Sequence, residues 1–130
     1  MKKILLLMTM VLTCVGAWAQ FVSSSNKCYH ITSKDGNRGA FYAKPGEGYL
    51  SHCGGTYGNY LNKDIATNSN SPAQQFAFVE YNGNLYLYSV SEKKFAKKDE
   101  DENFVKLVDS EPDIVTINKN GDYWNIKIQG

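Results

Sequence analysis

The sequence predicts an all-β domain, and three observations carry that prediction. Glycine-containing turn pairs recur at Asp35-Gly36, Asn82-Gly83 and Asn120-Gly121, and such pairs between apolar runs are a strong short-range hairpin signal. The flanking runs are short and rich in Tyr, Phe, Val and Ile, residues that suit a pleated surface. No stretch of the domain carries a convincing helical period.

The N-terminus reads as a segment to be removed. Met1-Lys2-Lys3 is positive, Ile4 to Val15 is apolar, and Ala17-Trp18-Ala19 is an A-x-A site. That order defines a Sec-type signal peptide over residues 1–19, cleaved before Gln20. The apolar core is shorter than the ~20 residues a spanning helix needs, so no membrane span is expected. A lipid on Cys14 is the alternative, and Thr13 before it suits that processing poorly. The expected location is secreted, periplasmic or cell-surface.

Cleavage would leave 111 of the 130 residues, one small domain over residues 28–130 behind a flexible polar leader, residues 20–27. The two N-terminal lysines leave with the signal. The remainder holds 12 basic and 13 acidic residues, a balance that argues against a nucleic-acid partner and against electrostatic membrane binding. Cys28 and Cys53 are the two cysteines that remain. An even pair in an exported chain reads as a disulfide, which would stabilise by about 3 kcal/mol on the loop-entropy model. A Cys53 nucleophile beside His52 is the functional alternative, but sequence neighbours on a strand point to opposite faces.

The elements follow in order. Cys28–Thr32 reads as a strand, 33–39 as a turn, Ala40–Ala43 as a returning strand and Tyr49–His52 as a short third. Residues 54–75 are loop-rich, and one short strand or helical turn is expected inside them. Phe76–Val79 and Leu85–Val90 form the clearest hairpin. In it Tyr86 and Tyr88 alternate with Leu85 and Leu87, giving an aromatic and an aliphatic face. Phe95-Ala96 and Phe104–Val108 read as further strands. The charged run Lys97–Glu102 between them reads as a solvated turn; it lacks the glycine a calcium loop needs at its bend. Ile114–Ile117 and Tyr123–Ile128 flank the last turn.

Three segments align: Cys28–Thr32, Phe76–Glu80 and Tyr123–Lys127, with starts 48 and 47 residues apart. Three units of about four strands fit a β-trefoil, whereas two and a fraction cannot close a propeller. Here the chain resembles a ricin-type β-trefoil of secreted bacterial proteins, over roughly residues 28–128. Gln74-Gln75-Phe76 is similar to that family's Q-x-W with Phe for Trp, and Leu85–Val90 followed by Lys94-Phe95 adds to the likeness. On this alignment the chain holds two lobes and the first strands of a third, an incomplete or open barrel whose third lobe would run to about residue 168. Unpaired strand edges invite pairing with another chain.

The resemblance implies a sugar site in the first lobe, where Asp35, Tyr49, Tyr57, Asn59 and Tyr60 fall in or beside loops. It implies structural roles for Gln74, satisfying buried backbone, and for Phe76, filling the core; Trp124 is expected in the same core role. Ala73 departs from the family, which tends to place a polar sugar-binding residue before the Gln. The chemistry points the same way. Sugars are held by aromatic faces plus carboxylate and amide groups, and the sequence is 13% aromatic with nine Tyr. His30 and His52 sit in no catalytic or metal motif. The expected function is therefore non-catalytic carbohydrate binding, with no cofactor and no metal. The alternatives are a protein-binding module such as a secreted inhibitor or adhesion domain, engaged through an open sheet edge, or a remnant of a larger trefoil protein.

Overall fold

The computed structural model describes residues 21–22, 26–56, 62–101 and 103–129. The predicted signal peptide, most of the leader, and Tyr57, Asn59 and Tyr60 lie outside the described residues. Among the described residues nine strands follow in chain order: β1 Cys28–Tyr29, β2 Ala40–Tyr42, β3 Tyr49–Cys53, β4 Phe76–Tyr81, β5 Asn84–Ser89, β6 Lys94–Lys98, β7 Val105–Val108, β8 Val115–Asn120 and β9 Tyr123–Ile128. A 3-10 turn at Pro72–Gln74 enters β4 and is the regular element among the described residues of the long polar stretch 54–75. Pro72 suits that first-turn position because its missing N–H would have no partner there.

The fold is all-β. All strand pairs are antiparallel, in one sheet of order β1-β4-β5-β6-β7-β3-β2, curled into an open half-barrel. One isolated bridge, Thr32↔Ala40, joins the residues after β1 to the far end of that order. β5 is the centre. One edge carries β4 over its whole length, and the other is shared by β6 at Tyr88 and Ser89 and by β8 at Leu85. Among the described residues no helix is long and apolar enough to cross a membrane.

The tight turns explain two hairpins. Asn82 and Gly83 both have positive φ, 53° and 81°, the type I′ pattern whose twist matches the flanking strands. In the β8–β9 hairpin, Asn120 pairs with Tyr123. The loop is thus Gly121-Asp122, one residue later than the Asn-Gly reading. With Gly121 at φ 64° in the first position, the turn follows the type II′ pattern.

Strand alternation divides the interior into two clusters. Phe76 and Leu87 join Ala43, Ala96, Leu107 and Val115 in one; Ala77, Val79 and Tyr86 join Phe95 in the other. The β4–β5 register pairs Phe78 with Leu87 and Val79 with Tyr86. A one-residue slip would exchange the two faces. Gly39 holds β2 against β3: its φ is +67°, and a Cβ there would collide with the Cys53 carbonyl.

Three expectations are corrected. The third repeat unit is out of phase: Phe76 opens β4, the first strand of its hairpin, whereas Tyr123 opens β9, the second strand of its own. The match to β4 is therefore β8, and the matching turns are Asn82-Gly83 and Gly121-Asp122. The start of the leader is not a loose polar tether. Phe21 and Val22 pack on the second cluster, and Phe21 stacks on Tyr81 with centroids 4.0 Å apart. Finally, Cys28 and Cys53 are both free thiols, the first exposed and the second buried. Cys53 lies opposite Ala40, Ala40 opposite Thr32, and Thr32 is four residues along the chain from Cys28. At ~3.3 Å per residue that offset is about 13 Å, far beyond the ~7 Å Cα limit for a disulfide.

Candidate functional site

Pairing β8 with β9 places Val115 opposite Ile128, Ile117 opposite Ile126 and Lys119 opposite Trp124. Val115 is buried and the isoleucines are half-buried against the core, but the stripe emerges at its distal end, where Trp124 is 59% exposed. The sequence reading placed Trp124 in the core. The hairpin instead runs past the core, so the period-2 pattern that buries Ile126 and Ile128 carries Trp124 into solvent. Tyr123 beside it is 47% exposed.

Opposite this hairpin stands β1. Its Tyr29 is 42% exposed and meets Phe78 edge-on, with centroids 5.6 Å apart. The two walls enclose a cleft of about 450 Å³. Tyr29, Phe78, Tyr123 and Trp124 supply aromatic surface to it, Ile31, Ile117 and Ile126 line it, and His30, Thr32, Lys34 and Asp122 supply polar groups. An open apolar cleft with a few convergent polar groups is the usual form of a small-ligand site. Lysines attend the rings: Lys34 Nζ lies 5.0 Å from the Tyr123 centroid, Lys119 Nζ 5.9 Å from that of Trp124, and Lys27 Nζ 5.9 Å from that of Tyr29.

The cleft is tied to the interior through His30 and Gln74. Gln74 Oε1 accepts from the Asn68 backbone N–H at 2.8 Å and from His30 Nε2 at 3.1 Å, while its Nε2 donates to the Ala66 carbonyl at 3.0 Å. An amide oxygen only accepts, so His30 carries its proton on Nε2. Gln74 and Phe76 are almost fully buried.

Of the residues expected to bind sugar, the two that are described, Asp35 and Tyr49, do not line this cleft. Asp35 closes its own turn, Oδ1 accepting from the Asn37 N–H at 3.0 Å and Oδ2 from Asn37 Nδ2 at 2.9 Å. Tyr49 lines a second cleft of about 660 Å³ with Phe41, Leu50, His52, Phe104 and Val105. Its ring lies 5.5 Å from that of Phe104. The Tyr49 hydrogen bond to Glu47 holds that carboxyl below its usual range, with Lys44 adding to the effect, and the same bond raises the Tyr49 phenol. In this cleft burial lowers the pKa of His52, against a backbone hydrogen bond at Arg38 that raises it. Burial also pushes the Cys53 thiol up, the opposite of what a nucleophile needs. No group of three or more His, Cys, Asp or Glu among the described residues could hold a metal.

Tyr29, Lys34, Asp122 and Tyr123 line this cleft and stand outside the residues that the sequence singles out. The available signal was local: Asp122, Tyr123 and Trp124 occupy and follow a two-residue loop, so they sit at a hairpin tip. Comparison with protein-family models, curated proteins and solved structures finds no match. The trefoil likeness therefore rests on the short sequence motifs alone.

Proposed function

We propose that the chain is a secreted, non-catalytic carbohydrate-binding module, and that its binding surface is the cleft between β1 and the β8–β9 hairpin. The exposed aromatic platform of Tyr29, Tyr123 and Trp124 beside Asp122 carries the proposal. Aromatic faces pack against the apolar side of a sugar ring, and the Asp122 carboxylate accepts from its hydroxyls. The fold proposed with it is trefoil-like, with β1–β3 as one lobe, β4–β7 as a second, and β8–β9 as the first two strands of a third. The equivalent hairpins β4–β5 and β8–β9 support that arrangement.

The experiment is a glycan array backed by fluorescence titration. Trp18 lies in the proposed signal peptide, so the processed chain has Trp124 as its sole indole. A bound sugar will change its emission. A folded protein that binds no sugar on the array and shows no change in emission overturns the reading.

A second reading is a protein-binding module. Among the described residues β9 pairs with β8 alone, so its outer edge can accept a strand from a partner. Crosslinking at Asn125 and Lys127, whose side chains are exposed, would report such a partner, and a strictly monomeric chain without crosslinked products would exclude it.

A further inference from the structure

The same cleft defines the charge of its ligand, an inference that rests on the carbohydrate reading above. Lys34 and Lys119 stand over the rings of Tyr123 and Trp124, the aromatic faces a sugar would cover, and Lys27 stands over Tyr29. Asp122 is the acidic residue lining the cleft. Lys34 and Asp122 balance one another in the lining, and Lys27 and Lys119, over the rings of Tyr29 and Trp124, add two ammonium groups at its margin.

A neutral sugar stacking on the lysine-bearing face of Tyr123 or Trp124 displaces the ammonium, which returns to water. An acidic sugar offers the displaced ammonium an anion within reach of the ring edge, exchanging a cation–π contact for a charge-assisted hydrogen bond. We propose that this module recognises acidic carbohydrate, in which a ring stacks on Trp124 and Tyr123 while its carboxylate or sulfate is held by Lys34 and Lys119. Asp122 is then left to the uncharged hydroxyls.

Calorimetric titration separates the possibilities. The probes are trigalacturonic acid, its carboxyl-reduced counterpart with the same linkages, and a sulfated heparin trisaccharide. An acidic probe is expected to bind at least about tenfold more tightly than the carboxyl-reduced one, and the preference should shrink from 50 mM to 500 mM salt as screening grows. Comparing the two acidic probes shows whether carboxylate or sulfate is preferred. Lys34→Gln and Lys119→Gln are exposed changes that leave both rings in place; each should cut acidic binding about fivefold and leave carboxyl-reduced binding unchanged or improved. Equal or tighter binding of the carboxyl-reduced trimer overturns the charge inference while leaving the carbohydrate reading standing. If none of the three probes binds and the array is blank, both fall together.

Discussion

Lys119 and Trp124 face each other across the β8–β9 hairpin, and the ammonium lies 5.9 Å from the indole centroid. The pair sits at the exposed end of a stripe whose other end is the buried Val115. One strand face therefore serves the core at its base and solvent at its tip, and mutations along it should separate stability from binding.

Trp124→Ala should abolish sugar binding and cost only about 1 kcal/mol of stability, since more than half of the residue is exposed. A core Trp would lose about 3–5 kcal/mol on the same change. Urea denaturation beside a binding titration decides between the two. A large fall in midpoint would mean that the indole packs inside.

Gln74→Ala should behave in the reverse way. It removes the acceptor for Asn68 and His30 and the donor to Ala66, all in a nearly sealed site. Leaving those partners unsatisfied should cost roughly 2–3 kcal/mol. The cost is read from the denaturation midpoint, and a neutral result would show that water replaces the amide.

Gly39→Ala should destabilise by roughly 2 kcal/mol or more. The left-handed backbone is itself costly for alanine, and the new methyl would meet the Cys53 carbonyl. Gly36 is a control: its φ is also positive, but nothing lies within 4 Å of an added Cβ. Thermal melts of the two variants should therefore differ clearly.

The cysteines should differ in reactivity. Cys28 is exposed and should react promptly with a thiol reagent, while Cys53 is buried and its pKa is raised, so it should react only on unfolding. Mass spectrometry after brief labelling of a chain lacking residues 1–19 should show one adduct under native conditions and two in denaturant. A native chain that takes no label until reduced would restore the disulfide.

Stability should fall as pH drops below about 6.5. His52 has a folded pKa below its ordinary value, so between the two values the unfolded chain binds the extra proton. The contribution is complete above the unfolded pKa and is lost as pH falls through the folded one. Melting temperatures from pH 8 to pH 5 should show this slope, and His52→Gln should flatten it. Glu47 shares the sign of His52, its pKa being lowered by Tyr49 and Lys44, but it acts in the lower carboxylate range.

Much of the architecture could be read from local chemistry. Asn82-Gly83 allows a turn with two positive φ angles, and the alternation of Tyr86 and Tyr88 with Leu85 and Leu87 set both faces of β5. The phase of the third repeat could not be read that way, because Tyr123-Trp124 and Phe76 present similar aromatic patterns whether they open the first or second strand of a hairpin. Only pairing distinguishes them. The separation of Cys28 from Cys53 likewise depends on the Thr32↔Ala40 bridge, a contact with no signature in composition. Trp124 illustrates a third limit: a residue on the core-facing side of a strand is buried only as far as the core extends beneath it.

The β8–β9 hairpin joins the rest of the sheet by ladder pairing at one position, Leu85↔Val115. It is in effect a cantilever, held by Val115 and by Ile117, Ile126 and Ile128 against the core, with its tip beyond them. Tyr123 and Trp124 ride on the arm while Tyr29 stands on the frame, so the spacing between the walls and the tilt of the aromatic platform are a single mechanical coordinate. The width open to a ligand is therefore set by how Ile117 and Ile126 seat that arm on the core.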